Sequence, residues 1–220
     1  MPKCWWPPIV ALGVLCVSLQ EARAIFDVQP GEASGKPGFG HQVWPLKGGG
    51  PSGAGSTAFR ILYRSTSPSG EPIAVSGAIF IPPGPAPAGG RDVIAWAHPT
   101  SGVVESCASS LMPDLAGTIW GLSDMLARGY VVVATDYPGL GTPGMHPYLI
   151  SESEGRAVLD SVRAARDLPD AGASNRFAVW GHSQGGHASL YTGELAASYA
   201  PDGRRCGGTG HLPDRAVRRR

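Results

Sequence analysis

Little in this sequence is charged. Asp, Glu, Lys and Arg make up 16% of its 220 residues, and the formal net charge is +1. Such a balance offers no basic face to a polyanion, so nucleic acid is not an expected partner. Cysteine is scarce too. Cys4, Cys16, Cys107 and Cys206 show no C-x-x-C spacing, which excludes the usual metal-binding cluster, and no cofactor is expected. Long apolar runs are lacking. The nearest thing to one, Trp5 to Leu19, is short and broken by Pro7 and Pro8, so no stable membrane anchor is expected. What the chain has in quantity is 32 Gly and 21 Pro, the residues of turns and long loops. With 42% hydrophobic residues it suits one soluble domain with a sizeable core.

The first residues read as an address. Met1-Pro2-Lys3 is a basic start, the apolar run follows, and Ala22-Arg23-Ala24 is a small-x-small cleavage signature. Together they predict a secretory signal peptide over residues 1–24, cut after Ala24, and a secreted or periplasmic product. Cys16 lacks the small residue before it that a lipoprotein signal needs. Export would leave Cys107 and Cys206 in an oxidising compartment.

Residues 25–56 are rich in Gly and Pro, without periodicity, and read as loop. Thr57 to Thr66 alternates as a strand, Ser67-Pro68-Ser69-Gly70 is a turn, and Ile73 to Ile81 is the return strand of a hairpin. Asp92 to Ala97 is a buried strand ending at His98-Pro99-Thr100-Ser101-Gly102. Leu115 to Arg128 has helical spacing, with Gly129 as its stop. Tyr130 to Thr135 is the strongest strand and runs into Asp136. Glu152 to Asp167 is a second helix. Arg176 to Trp180 is a strand and Gln184 to Ala200 a third helix. Apolar strands alternating with helices predict an α/β fold: an antiparallel hairpin, then a mainly parallel sheet with helices on both faces, over residues 57–201. Active sites of such sheets lie beyond the carboxyl ends of the strands. Three loops should meet there: His98–Gly102, Asp136–Gly144 and the turn at Ser183.

That last turn, Gly181-His182-Ser183-Gln184-Gly185, joins strand to helix as Gly-x-Ser-x-Gly. The pattern fits a nucleophile elbow, which lifts a serine hydroxyl above the sheet edge. A Cβ at Gly181 or Gly185 would collide with the opposite arm. The turn would also aim the Gln184 N–H and the positive end of the new helix at the reaction centre.

Five segments in order carry a wider likeness: LYRSTSPSGEPIAVSGAIFIP (62–82), WAHPTSGVVESCA (96–108), ATDYPGLGTPG (134–144), HPYL (146–149) and GHSQGGHASL (181–190). Over about residues 55 to 201 the chain resembles the secretory lipases, relatives of Candida lipase A with an α/β-hydrolase fold. The resemblance implies a secreted carboxylic-ester hydrolase of the triacylglycerol lipase type, acting on an ester or lipid. Ser183 would be the nucleophile and Gln184 one oxyanion donor. The second donor would come from the loop after the third strand. Pro99, where the family more often has Gly, has no N–H, so Thr100 is expected, or else Ser101. His98 precedes the serine, whereas this fold orders its triad serine, acid, histidine; a structural role is expected for it, as for His182 and His187. Asp136 is expected to anchor its loop.

The triad acid and base should follow Ser183, and none is identified. Residues 202–220 are arginine-rich and aperiodic, and read as a divergent, disordered tail. Asp202 and His211 stand in the right order but lack a scaffold. Cys107 would, by the resemblance, pair with a cysteine in a portion not present. The expectation is a truncated chain. The alternative to an active hydrolase is therefore a catalytically dead fragment with an exposed sheet edge. Nothing in the sequence sets an oligomeric state.

Overall fold

The computed structural model describes residues 38–46 and 55–199. The expected signal peptide and the basic tail, with Asp202 and His211, lie outside the described residues. Among the described residues six strands form one sheet: β1 (Gly38–Pro45), β2 (Thr57–Thr66), β3 (Pro72–Ile81), β4 (Arg91–Ala97), β5 (Val131–Thr135) and β6 (Ala173–Gly181). Their order across the sheet is β1-β2-β3-β5-β4-β6. β1, β2, β3 and β5 pair antiparallel in succession, and β5, β4 and β6 pair parallel. The sheet is thus mixed, with its parallel part where the alternation of strand and helix places it.

Among the described residues four helices cover it: α1 (Leu115–Thr118), α2 (Leu122–Ala127), α3 (Ser151–Asp167) and α4 (Gln184–Leu195). The short pair and the long pair take opposite faces. Leu115, Ile119, Leu122 and Leu126 pack with Val132, Ala134, Phe80 and Trp96 on one side. Ala157, Val158, Val162 and Ala188 pack with Val131, Val133, Ile61 and Ile79 on the other. Neighbouring valines of β5 therefore serve opposite faces. A strand covered on both sides reads as an unbroken apolar run for that reason, and each such side chain contributes about 1.5–3 kcal/mol on burial.

Three expectations need correction. β1 lies within the stretch read as loop; it is an edge strand carrying Gly38, Gly40 and Pro45, and an edge tolerates residues that spoil a strand signal. The helix expected over 115–128 is two short ones, because Gly121 between them sits at φ 78°, outside helical space. The last helix ends at Leu195, well before Ala200.

The far end of α3 is tied down by a buried cluster. Asp160 accepts from Ser65 Oγ at 2.7 Å and from the Tyr199 hydroxyl at 2.9 Å. Arg163 makes an ion pair with it. The Arg156 and Arg163 guanidinium carbons lie 5.5 and 4.8 Å from the Tyr199 ring centre. Burial, opposed by Arg163 and the hydroxyl donors, pushes the Asp160 carboxyl up to about 6.

At the other sheet edge β6 pairs with β4 alone among the described residues. Trp180 on β6 is 49% exposed and Trp120, just before α2, 53%. Both line an open cleft of about 360 Å³ between that edge and α2.

Candidate active site

β6 runs out at Gly181 and α4 starts at Gln184, so only His182 and Ser183 make the turn. Ser183 carries the cost of that sharpness, at φ 54° and ψ −119°. A non-glycine residue there is strained and persists only where its surroundings hold it. Two glycines allow the close approach. A Cβ on Gly185 would fall 1.8 Å from the Ala97 carbonyl oxygen, and one on Gly181 2.4 Å from the Gly185 oxygen. Bonds within the turn close it: Gly185 N–H donates to His182 O at 2.8 Å and His187 N–H to Ser183 O at 3.1 Å. Ser183 is exposed. Among the described residues its hydroxyl has no hydrogen-bond partner, and neither does the Gln184 N–H.

The loops after β4 and β5 are knitted together beside the turn. His98 is buried; its Nδ1–H donates to Pro99 O at 2.6 Å, and its Nε2 faces Asp136 O at 3.3 Å. Tyr137 Oη donates to His98 O at 3.1 Å, and the two rings lie 4.5 Å apart. Burial lowers the basicity of His98 despite the nearby Asp136 charge. The Asp136 carboxylate is occupied elsewhere. It accepts from Ser76 Oγ at 2.7 Å, Ser110 N–H at 2.7 Å and Ser110 Oγ at 2.5 Å. Thr100 is exposed, with its hydroxyl 3.0 Å from the Tyr148 hydroxyl; Ser101 is buried. Cys107 presses from behind on Gly102, where an added Cβ would come 2.4 Å from Sγ. Cys107 is disulfide-bonded, contrary to the expectation that its partner is not present in the chain.

His182 is exposed, its ring 4.9 Å from that of Trp120. His187 faces α3, where its Nδ1–H donates to Glu154 Oε2 at 2.7 Å. Glu154 is wholly buried. Its Oε1 also accepts from Gln184 Nε2 at 2.7 Å and from Leu149 N–H at 3.0 Å. His146 completes the group: Nδ1–H donates to Pro138 O at 2.8 Å, and Nε2 accepts from Gln184 Nε2 at 3.0 Å. The sequence reading singled out neither Glu154 nor His146. The available signal was the spacing of Glu154, which falls in line at intervals of four with the buried Val158 and Val162 of its helix. Among the described residues no group of three or more His, Cys, Asp or Glu could hold a metal ion, and no helix is long and apolar enough to cross a membrane.

A mixed sheet of this order, whose last strand turns through a positive-φ serine straight into a helix, defines an α/β-hydrolase. Residues 116–209 match the family described as secretory lipase. The chain is 27% identical over 158 residues to lipase A of Moesziomyces aphidis, covering 67% of this chain and 33% of that one. It is 29% identical over 157 residues to a Mycobacterium tuberculosis protein named a probable inactive lipase, covering 66% and 34%. Among solved structures it is similar to the rice cell wall degrading esterase LipA of Xanthomonas oryzae, with TM-score 0.62 and 28% identity over 74% of this chain and 47% of that one. The chain thus has the α/β-hydrolase fold and is similar to secretory lipases, and it spans about a third of the length of these curated relatives.

Proposed function

We propose that this chain carries the nucleophile and oxyanion side of a secreted carboxylic-ester hydrolase of the triacylglycerol lipase type. The observation that carries the reading is Ser183, exposed at φ 54° between β6 and α4 and next to a Gln184 N–H with no other partner among the described residues. Ser183 Oγ attacks the ester carbonyl carbon. The carbonyl π electrons move to oxygen, where the N–H groups of Gln184 and Thr100 receive the charge. The Oγ proton passes to a base and on to the leaving alkoxide, which departs as an alcohol. Water then hydrolyses the acyl-enzyme. No base or acid partner of Ser183 is identified among the described residues. His98 and His187 are engaged with Pro99 and Glu154, and Asp136 with two serines.

A second reading, the catalytically silent chain, draws support from the same bare hydroxyl and from the relative named inactive. A fluorophosphonate probe separates the two. The parent should label at Ser183, and Ser183→Ala should not label at all; equal labelling of both removes Ser183 from the mechanism. Labelling with p-nitrophenyl ester turnover near ~10 s⁻¹ supports the hydrolase. Labelling with turnover several orders of magnitude lower supports the silent chain. Secretion is part of the proposal, as the family description suggests. N-terminal sequencing of the exported protein should begin at Ile25, and a product retaining Met1 contradicts it.

A further inference from the structure

We propose that Glu154 is a positioning residue for the reactive turn: its buried carboxylate grips the Gln184 side chain from behind and so fixes the backbone N–H that receives charge from the substrate oxygen. The proposal rests on the reading of Ser183 and Gln184 given above.

The grip is built from three elements. Glu154 sits in the first turn of α3 with no solvent exposure. Two of its three donors, Gln184 Nε2 and His187 Nδ1, lie on one face of the first turn of α4. The third, Leu149 N–H, belongs to the loop that enters α3. His146 adds an independent hold. A carbonyl can only accept, so the Pro138 oxygen requires a proton on His146 Nδ1, and Nε2 is the ring atom that accepts from Gln184 Nε2. Both amide hydrogens of Gln184 are therefore engaged, one by a carboxylate and one by an imidazole. The Gln184 Oε1 atom, equally buried, has no partner among the described residues. The side chain is held through its NH₂ group alone.

Packing does not require this. A buried carboxylate carries a large desolvation cost, and an apolar residue of similar size closes a helix–helix contact without it. The acid makes sense through what it holds. Gln184 is the first residue of α4, directly after the strained Ser183, and strained backbone stays put only where neighbours over-determine it. An oxyanion donor must also be set before charge develops. Through the Gln184 side chain, Glu154 reaches that donor without touching substrate.

The test uses the full 220-residue chain and fluorophosphonate inactivation, separated into binding (KI) and bond formation (kinact). Glu154→Met keeps the volume and removes the acceptor. It should hold its fold and KI while kinact falls about 10²-fold, the scale of a small misplacement of reacting groups. Glu154→Gln should restore kinact to within a few-fold, because its amide oxygen still accepts from Gln184 and Leu149. An unchanged kinact in folded Glu154→Met overturns the proposal, as does a Glu154→Gln no faster than Glu154→Met. If Glu154→Met does not fold, Gln184→Met removes the grip from its other end: the same slowing supports the proposal and a parent-like kinact overturns it. A parent chain that does not label at all defeats the reading of Ser183 while leaving the grip to be read by amide exchange. Exchange at Gly185 and His187 should then accelerate about tenfold in Gln184→Met, more than in the second half of α4, and a uniform change overturns the proposal.

Discussion

Glu154 and Asp160 stand on the same helix, both buried, and both meet donors from the α4 end of the chain. Their company differs. Asp160 has a cation beside it, Arg163, and hydroxyl donors from Ser65 and Tyr199. Every group in that cluster serves to pin α3 to β2 and to the segment after α4. Among the described residues Glu154 has no arginine or lysine partner; it takes an amide, an imidazole and a backbone N–H, two of them from the first turn of α4 after Ser183. One acid is spent on the scaffold and the other on the reactive turn. The difference teaches that burial and hydrogen-bond count do not separate structural acids from functional ones. The identity of the donors does.

The comparison breaks most visibly at the reactive end. Gly185→Ala drives a methyl group into the Ala97 carbonyl, at 1.8 Å before relaxation. It should cost about 3 kcal/mol or more, at the upper end for overpacking, and remove labelling of Ser183. Urea unfolding measures the first and the probe the second; a variant within 1 kcal/mol of the parent (~RT ln 5) contradicts the close approach described. The scaffold end is sharpened by pH. The Asp160 pKa is raised by folding, from 3.8 to about 6. The protonated form therefore favours the fold, so its contribution is complete below the unfolded value and is lost as pH rises through about 6. Parent stability relative to Asp160→Asn should fall by about 2 kcal/mol between about pH 4 and pH 7. A flat difference across that window removes the perturbed carboxyl from the account. Reactivity at Ser183 should follow neither change in Asp160, because none of the cluster reaches the turn.

Much of this was legible in the residues. The β2–β3 hairpin, the buried runs of β4 and β5 and the glycines flanking Ser183 each answer to a local rule. Alternation, apolar runs and Gly-x-Ser-x-Gly survive without tertiary context. The misses share a cause. β1 is recognised only by its partner β2, since an edge strand with glycine and proline has no pattern of its own. The break at Gly121 follows from one backbone angle. Glu154 and His146 are single polar residues whose meaning comes from Gln184, far along the chain. The anchoring of Asp136 was foreseen as a role, but not its partners in β3 and the 109–111 turn.

The place of β6 at the sheet edge also bears on the order in which the molecule assembles. The β2–β3 hairpin closes over a few residues between Thr66 and Pro72. Seating β6 on β4 joins residues such as Asp92 and Ser174, 82 positions apart. Closing a longer loop costs more entropy, and contacts distant in sequence form slowly. Until that strand docks, Ser183 has no sheet to rise from and Ala97 no glycine to face. By that measure the β2–β3 hairpin is expected to form ahead of the reactive turn.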